Sequence, residues 1–173
     1  MLEKLSVSDF RDIYSIMEQS FPKDEYRTKA KQKQLFNESA YNVFGEKKDG
    51  KLLSFITVWT FSDFYYVEHF AIAPDYRNLG LGSKMLKEVE EKFNGLLVLE
   101  VECPTDELTK RRVEFYKRNG YKLNEYDYVQ PSMAKGRKEI PLKIMSNPIE
   151  LTKIMFENVK HTLYSVVYKV EKQ

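Results

Sequence analysis

Residues 70–83 read Phe-Ala-Ile-Ala-Pro-Asp-Tyr-Arg-Asn-Leu-Gly-Leu-Gly-Ser, and their order decides the fold. An apolar run stops at Pro74. A short polar turn carrying Arg77 follows. Gly80 and Gly82 then stand directly before Met85, Leu86, Val89 and Phe93, which recur at helical spacing. A strand, a glycine turn and a helix N-terminus in succession make an anion site. The first amides of a helix have no internal partner, the helix dipole is positive there, and glycine lets a phosphate approach the backbone. Two familiar phosphate sites fail on the residues. A dinucleotide fingerprint needs a third glycine where Met85 stands, and no GxxxxGK[ST] string occurs.

What remains, Arg77-x-x-Gly80-x-Gly82 after a strand ending Ile72-Ala73-Pro74, resembles the pyrophosphate loop of the GNAT superfamily of acyl-CoA N-acyltransferases. Downstream, residues 109–121 read Thr-Lys-Arg-Arg-Val-Glu-Phe-Tyr-Lys-Arg-Asn-Gly-Tyr. A helix carrying Phe115-Tyr116 and ending Asn119-Gly120-Tyr121 is similar to the family's second cofactor motif, with Gly120 placed to stop it. Leu96–Val101 between the two motifs is a continuous apolar run, read as a buried strand. Where many family members carry Asn early in this helix and Ala three residues later, this chain has Thr109 and Arg112.

The resemblance implies an α/β three-layer fold in one domain over residues 1–173. Its mixed, mostly antiparallel sheet is expected to be splayed at the cofactor site and flanked by helices. The motif-bearing part spans about 5–145, followed by a C-terminal helix over about 148–168. It implies acetyl transfer from acetyl-CoA to a primary amine of a small molecule or peptide by direct attack in a ternary complex, with no metal. By the same resemblance, the main chain of Phe70, Ala71 and Ile72 would flank the pantetheine as an added strand. Arg77 and the amides of Asn78, Leu79, Gly80, Leu81, Gly82 and Ser83 would hold the pyrophosphate. Tyr116 would serve the leaving thiolate. Glu68, on the strand before the loop, is the expected base. A carboxylate in an apolar strand is expected to have a raised pKa. Regular alternation would put Tyr66, Glu68 and Phe70 on one face and His69 on the other, as a packing histidine. Two other readings stand beside this one: a catalytically silent CoA-binding module, and a nucleotide-using enzyme of another class.

Composition bounds the alternatives. The 173 residues are 42% hydrophobic and 31% charged, the profile of an ordinary globular domain. A net charge of +2 argues against a generic nucleic-acid binder. The single cysteine, Cys103, excludes an internal disulfide and reads as a buried structural thiol. His69, His161 and Cys103 have no metal-ligand spacing. The N-terminus lacks an apolar signal region and no run reaches membrane-spanning length, so a cytoplasmic monomer or homodimer without membrane association is expected.

Along the chain, residues 8–20 show helical periodicity with Ser8 as the expected N-cap. Residues 27–38 read as a weakly amphipathic helix. Asp49-Gly50 between two β-rich runs signals a hairpin. Strands are expected at 64–72, 121–129 and 139–145. The segment 164–168 reads as helix or strand. The aromatics Tyr26, Trp59, Phe61, Phe64, Tyr65 and Tyr66 are candidates for an acceptor pocket, with Asp24, Glu25 and Asp63 as cation-attracting neighbours. Burial in the core would absorb many of those rings.

Overall fold

A computed structural model describes residues 1–170. The chain gathers into two compact units, Met1–Gly95 and Leu96–Gln173. In the first, β1 (Glu3–Lys4), β2 (Tyr41–Lys48), β3 (Lys51–Thr60) and β4 (Tyr65–Ile72) pair antiparallel in that order. Helices α1 (Phe10–Ser20), α2 (Lys29–Gln34) and α3 (Leu81–Lys92) accompany them. In the second unit β5 (Leu97–Glu102), β7 (Ile140–Asn147) and β6 (Lys122–Gln130) pair antiparallel with β7 central. They are joined by α4 (Glu107–Arg118) and α5 (Lys153–Thr162).

The hairpin between β2 and β3 forms where the sequence signals it. Asp49 and Gly50 both take positive φ, 51° and 76°, as a two-residue hairpin turn requires. β3 is buried along nearly its whole length, so Leu52–Trp59 reads as an apolar run interrupted only by buried Ser54 and Thr57. Phe55, Ile56, Val58, Trp59 and Tyr66 are almost wholly inaccessible and make the centre of the first core with Met17 and Val89. The second core centres on Val98, Ile144, Met145, Phe156 and Leu163.

Three local expectations are corrected. Ser6 rather than Ser8 opens the first helical segment, in a reciprocal cap with Asp9, because a 3-10 turn over Val7–Asp9 precedes α1. The C-terminal helix starts at Lys153 rather than near 148, where the Thr152 side chain accepts the Met155 amide. Its end, Leu163–Val167, winds as a π-helical turn, the helical one of the two readings open for 164–168. Cys103 is only half-buried, its thiol 3.6 Å from the Pro141 carbonyl. No helix of the described residues is long and apolar enough to cross a membrane.

Candidate functional site

The glycine loop has the form its sequence predicts. After β4 the Ala73 amide donates to the Leu53 carbonyl at 2.8 Å, and Pro74–Tyr76 make one 3-10 turn. Asn78 takes a φ of 62° and Gly80 one of 77°. A Cβ built on Gly80 meets no atom within 4 Å, so glycine is required there by backbone angle rather than space. Gly80 caps α3 and has no side chain to offer its amides. The helical ladder begins only with the Lys84 amide, 3.2 Å from the Gly80 carbonyl. The amides of Leu81, Gly82 and Ser83 thus stand at the positive end of a three-turn helix without an intrahelical acceptor.

Arg77 is exposed beside them. Its Nε donates to the Ile72 carbonyl at 3.0 Å and its Nη2 to Ser20 Oγ at 3.1 Å. Those two bonds tie the loop to the end of β4 and to the last residue of α1. They use two of the five guanidinium donors, leaving the others for an anion.

The ladder between β3 and β4 sets which main-chain groups of β4 face outward. The Ala73-to-Leu53 bond and the register Phe55↔Ala71 make Ala71 a bonded partner of β3. Phe70 and Ile72 occupy the alternate positions, so their N–H and C=O groups point away from β3. Of the three strand residues expected against the cofactor, Ala71 gives its main chain to the sheet. Phe70 and Ile72 turn theirs to the opposite edge.

Upstream the strand is irregular. Val67 pairs with Val58 and Phe70 with Ile56, so Glu68 and His69 together face Thr57 alone. This bulge is held by the Thr57 hydroxyl, which accepts the His69 amide at 2.9 Å. The expectation that Glu68 and His69 lie on opposite faces assumed a regular strand, and it fails. Both reach the same connector after α1. Glu68 Oε1 accepts from Arg27 Nη1 at 2.6 Å, and His69 Nε2 lies 2.8 Å from the Glu25 carbonyl. Glu68 Oε2 also accepts the Trp59 indole N–H at 2.8 Å.

The Glu68 side chain is 1% exposed and Arg27 9%. Burial alone would push the Glu68 pKa up, as the sequence reading expected. The Arg27 charge and the hydrogen bonds from Arg27 and Trp59 outweigh it, and the pKa is lowered. Glu68 is therefore an ionised, doubly bonded carboxylate. The raised pKa that made it a suitable base is absent. His69 is neutral, its pKa lowered chiefly by burial. Because a carbonyl can only accept, Nε2 carries the hydrogen. Nδ1 is then a bare lone pair with no partner among the described residues. Sequence reasoning missed Arg27. The available signal was the acid itself, since a carboxylate inside an apolar strand either pairs with a cation or takes up a proton.

The predicted tyrosine helix is α4. Thr109, at the family's Asn position, closes a reciprocal cap with Asp106: its amide donates to Asp106 Oδ1 at 2.8 Å and its hydroxyl accepts the Asp106 amide at 3.1 Å. Arg112, at the Ala position, pairs with Glu102. At the other end the Tyr121 amide bonds the Tyr116 carbonyl and the Gly120 amide bonds that of Lys117, with Gly120 at a φ of 86°. This double bond pattern, with the Tyr116 and Tyr121 rings 5.7 Å apart, is a complete Schellman stop. It fixes Tyr116 from both main chain and ring. The Tyr116 hydroxyl makes no hydrogen bond among the described residues, and burial pushes its pKa up to about 12.

The aromatic acceptor candidates are mostly core. Trp59 and Tyr66 are almost wholly inaccessible, and Tyr26 and Phe64 are buried; only Phe61 and Tyr65 retain partial exposure.

Comparison with known proteins agrees with this architecture. The profile of the Acetyltransferase (GNAT) family matches residues 8–121. YjbC of Bacillus subtilis (strain 168), provisionally described as an acetyltransferase, is 29% identical over 167 residues, covering 92% of this chain and 83% of that protein. A structure from Bacteroides thetaiotaomicron, provisionally assigned as a GNAT-family acetyltransferase, superposes with a TM-score of 0.88 at 34% identity, covering 99% of each chain. An aminoglycoside 6'-N-acetyltransferase complexed with coenzyme A shares the fold, with a TM-score of 0.63 at 12% identity over 88% of this chain and 99% of that one. The chain therefore belongs to the GNAT family of acetyltransferases, an α/β fold built on mostly antiparallel strands.

Proposed function

We propose that this protein transfers an acetyl group from acetyl-CoA to a primary amine of a small molecule or peptide by direct attack in a ternary complex. The observation that carries the proposal is the start of α3. Three helix amides, left without a side-chain cap by Gly80, stand next to Arg77 at the end of a strand. Acetyl-CoA supplies the activated thioester. The amides of Asn78–Ser83 and the spare Arg77 donors bind its pyrophosphate. The outward main-chain groups of Phe70 and Ile72 hold the pantetheine as an added strand would. The family resemblance and the coenzyme A bound to the aminoglycoside-acetylating relative support this reading.

Tyr116 acts at the sulfur. With its pKa at about 12 it stays protonated throughout the physiological range. Handing its proton fully to a thiolate of ordinary basicity, ~8.5, would be uphill by about 5 kcal/mol. Its role is therefore hydrogen-bond donation to the departing sulfur, with solvent as the final proton source. Glu68 is a fixed negative charge that positions Arg27 and Trp59, and the amine proton leaves to water.

CoA should raise the melting temperature. Ligand at ~100 times its Kd adds roughly 2.7 kcal/mol. A scan with millimolar CoA that shows no shift removes the assignment of the loop. Gly82→Val should weaken CoA binding at least ~10-fold by calorimetry while barely moving the melting point of the free protein. Gly82 is the second residue of α3, where a branched side chain is compatible with helix but crowds an approaching phosphate. Unchanged affinity would show that the loop is only a turn.

A further inference from the structure

A groove of about 650 Å³ lies between the start of α1 and α2, away from the glycine loop in sequence and lined by other residues. Val7, Phe10 and Ala30 give it an apolar lining, and Val7 is 49% exposed. Arg11, Lys29 and Lys33 complete it. None of these three cations has an ion-pair partner among the described residues. The nearby acids serve another group. Asp9 holds Lys47 at 2.7 Å, and Asp12 adds to the field on the same lysine.

The sequence of α2 works against its own helix. Lys-Ala-Lys-Gln-Lys-Gln carries no acid in its first turn and no side-chain cap bond at Thr28. Lys29 sits at the positive end of the helix dipole. Lys29 and Lys33, four residues apart, repel across one helical face. The Lys29 ammonium is placed 5.7 Å from the centre of the Tyr14 ring. The ring offsets part of that repulsion; what no described residue supplies is a paired negative charge.

We propose that this groove docks an acidic peptide segment of a partner protein, one that places an apolar side chain against Val7, Phe10 and Ala30 and carboxylates against Arg11, Lys29 and Lys33. The concavity and the apolar lining favour a peptide with an anchor over a flat lipid surface. The small net charge of the whole chain, +2, argues against a nucleic-acid track. The site is independent of the acetyl-CoA loop, so its failure leaves that assignment standing.

The test is fluorescence anisotropy with the full chain and a labelled peptide of about a dozen residues, a central Leu-Phe pair flanked by glutamates. Saturable binding is expected, weakened several-fold by added salt because the contacts are exposed charge pairs. Lys29→Glu with Lys33→Glu should weaken it at least ~10-fold while the melting temperature moves by no more than a few degrees, since glutamate suits the start of α2 and does not suit its end. Loss of binding with the fold retained separates a docking role from unfolding. A peptide with the Leu-Phe pair replaced by Gly-Ser should also bind at least ~10-fold more weakly. No saturable binding, or equal binding by the double variant, overturns the proposal. So does binding of anionic phospholipid vesicles but not of the peptide. Sedimentation showing self-association that the double variant abolishes, without peptide binding, assigns the groove to a second copy and equally overturns it.

Discussion

Arg27→Ala should destabilise the protein by about 3–5 kcal/mol at neutral pH, because it leaves the Glu68 charge buried and unpaired. That corresponds to a melting temperature lower by something on the order of 10 °C. The loss should shrink in acid. Without Arg27, burial dominates and raises the Glu68 pKa, so protonation relieves the variant as pH falls. The wild type moves the other way. Its Glu68 pKa is lowered, so that contribution is complete above the ordinary carboxylate value of 4.5 and is lost as pH drops through the folded value. His69 adds to the trend. Its folded pKa lies below 6.5, so under that pH the unfolded chain takes a proton that the folded chain refuses, and stability falls. Denaturant melts of both proteins from neutral to acid pH should therefore converge. Arg27→Met combined with Glu68→Gln should recover most of the loss, since removing both charges leaves nothing uncompensated. Parallel pH curves would show that Arg27 stabilises by packing alone.

Tyr116→Phe should lower the turnover number by roughly 10²-fold with little change in the Michaelis constant for acetyl-CoA, because the interaction strengthens only as the sulfur gains charge. The fold of α4 should be indifferent. The Schellman bonds run through the Tyr116 main chain, and the ring contact with Tyr121 survives loss of one oxygen. Single-turnover rates are the measurement, since slow product release would hide the effect. With the hydroxyl at about 12, the wild-type rate should show no tyrosine limb up to pH ~10. A variant as fast as wild type removes Tyr116 from the mechanism.

The parts of the fold that were legible in the sequence are those written by local chemistry. Asp49-Gly50 and Gly120 sit at positive φ, where few residues go willingly, so their positions announced a turn and a helix stop. Gly80, at positive φ before an amphipathic run, announced the loop in the same way. The site's electrostatics were not legible because they depend on distance along the chain. Arg27 meets Glu68 across 41 residues, and no window around Glu68 contains it. The sign of the Glu68 shift followed from that one missing contact. The placement of His69 failed for a different reason. Alternation along a strand presumes equal numbers of residues on both partners, and a bulge leaves little mark on composition. Thr109 and Arg112 depart from the family pattern in sequence, yet each has a structural task, as a helix cap and an ion pair.

Two residues of β4 share a single opposite residue at Thr57. That makes 68–69 the one point in the strand where its length is free to change. Removing one of the pair would restore one-to-one pairing and leave Val67 opposite Val58 and Phe70 opposite Ile56. Removing any other residue of 65–72 would turn a stretch of side chains over. The strand therefore tolerates a change of length only where its buried glutamate and histidine stand. The register of Phe70–Ile72 and the chemistry of the preceding residues can vary independently, and a lineage can exchange one without disturbing the other.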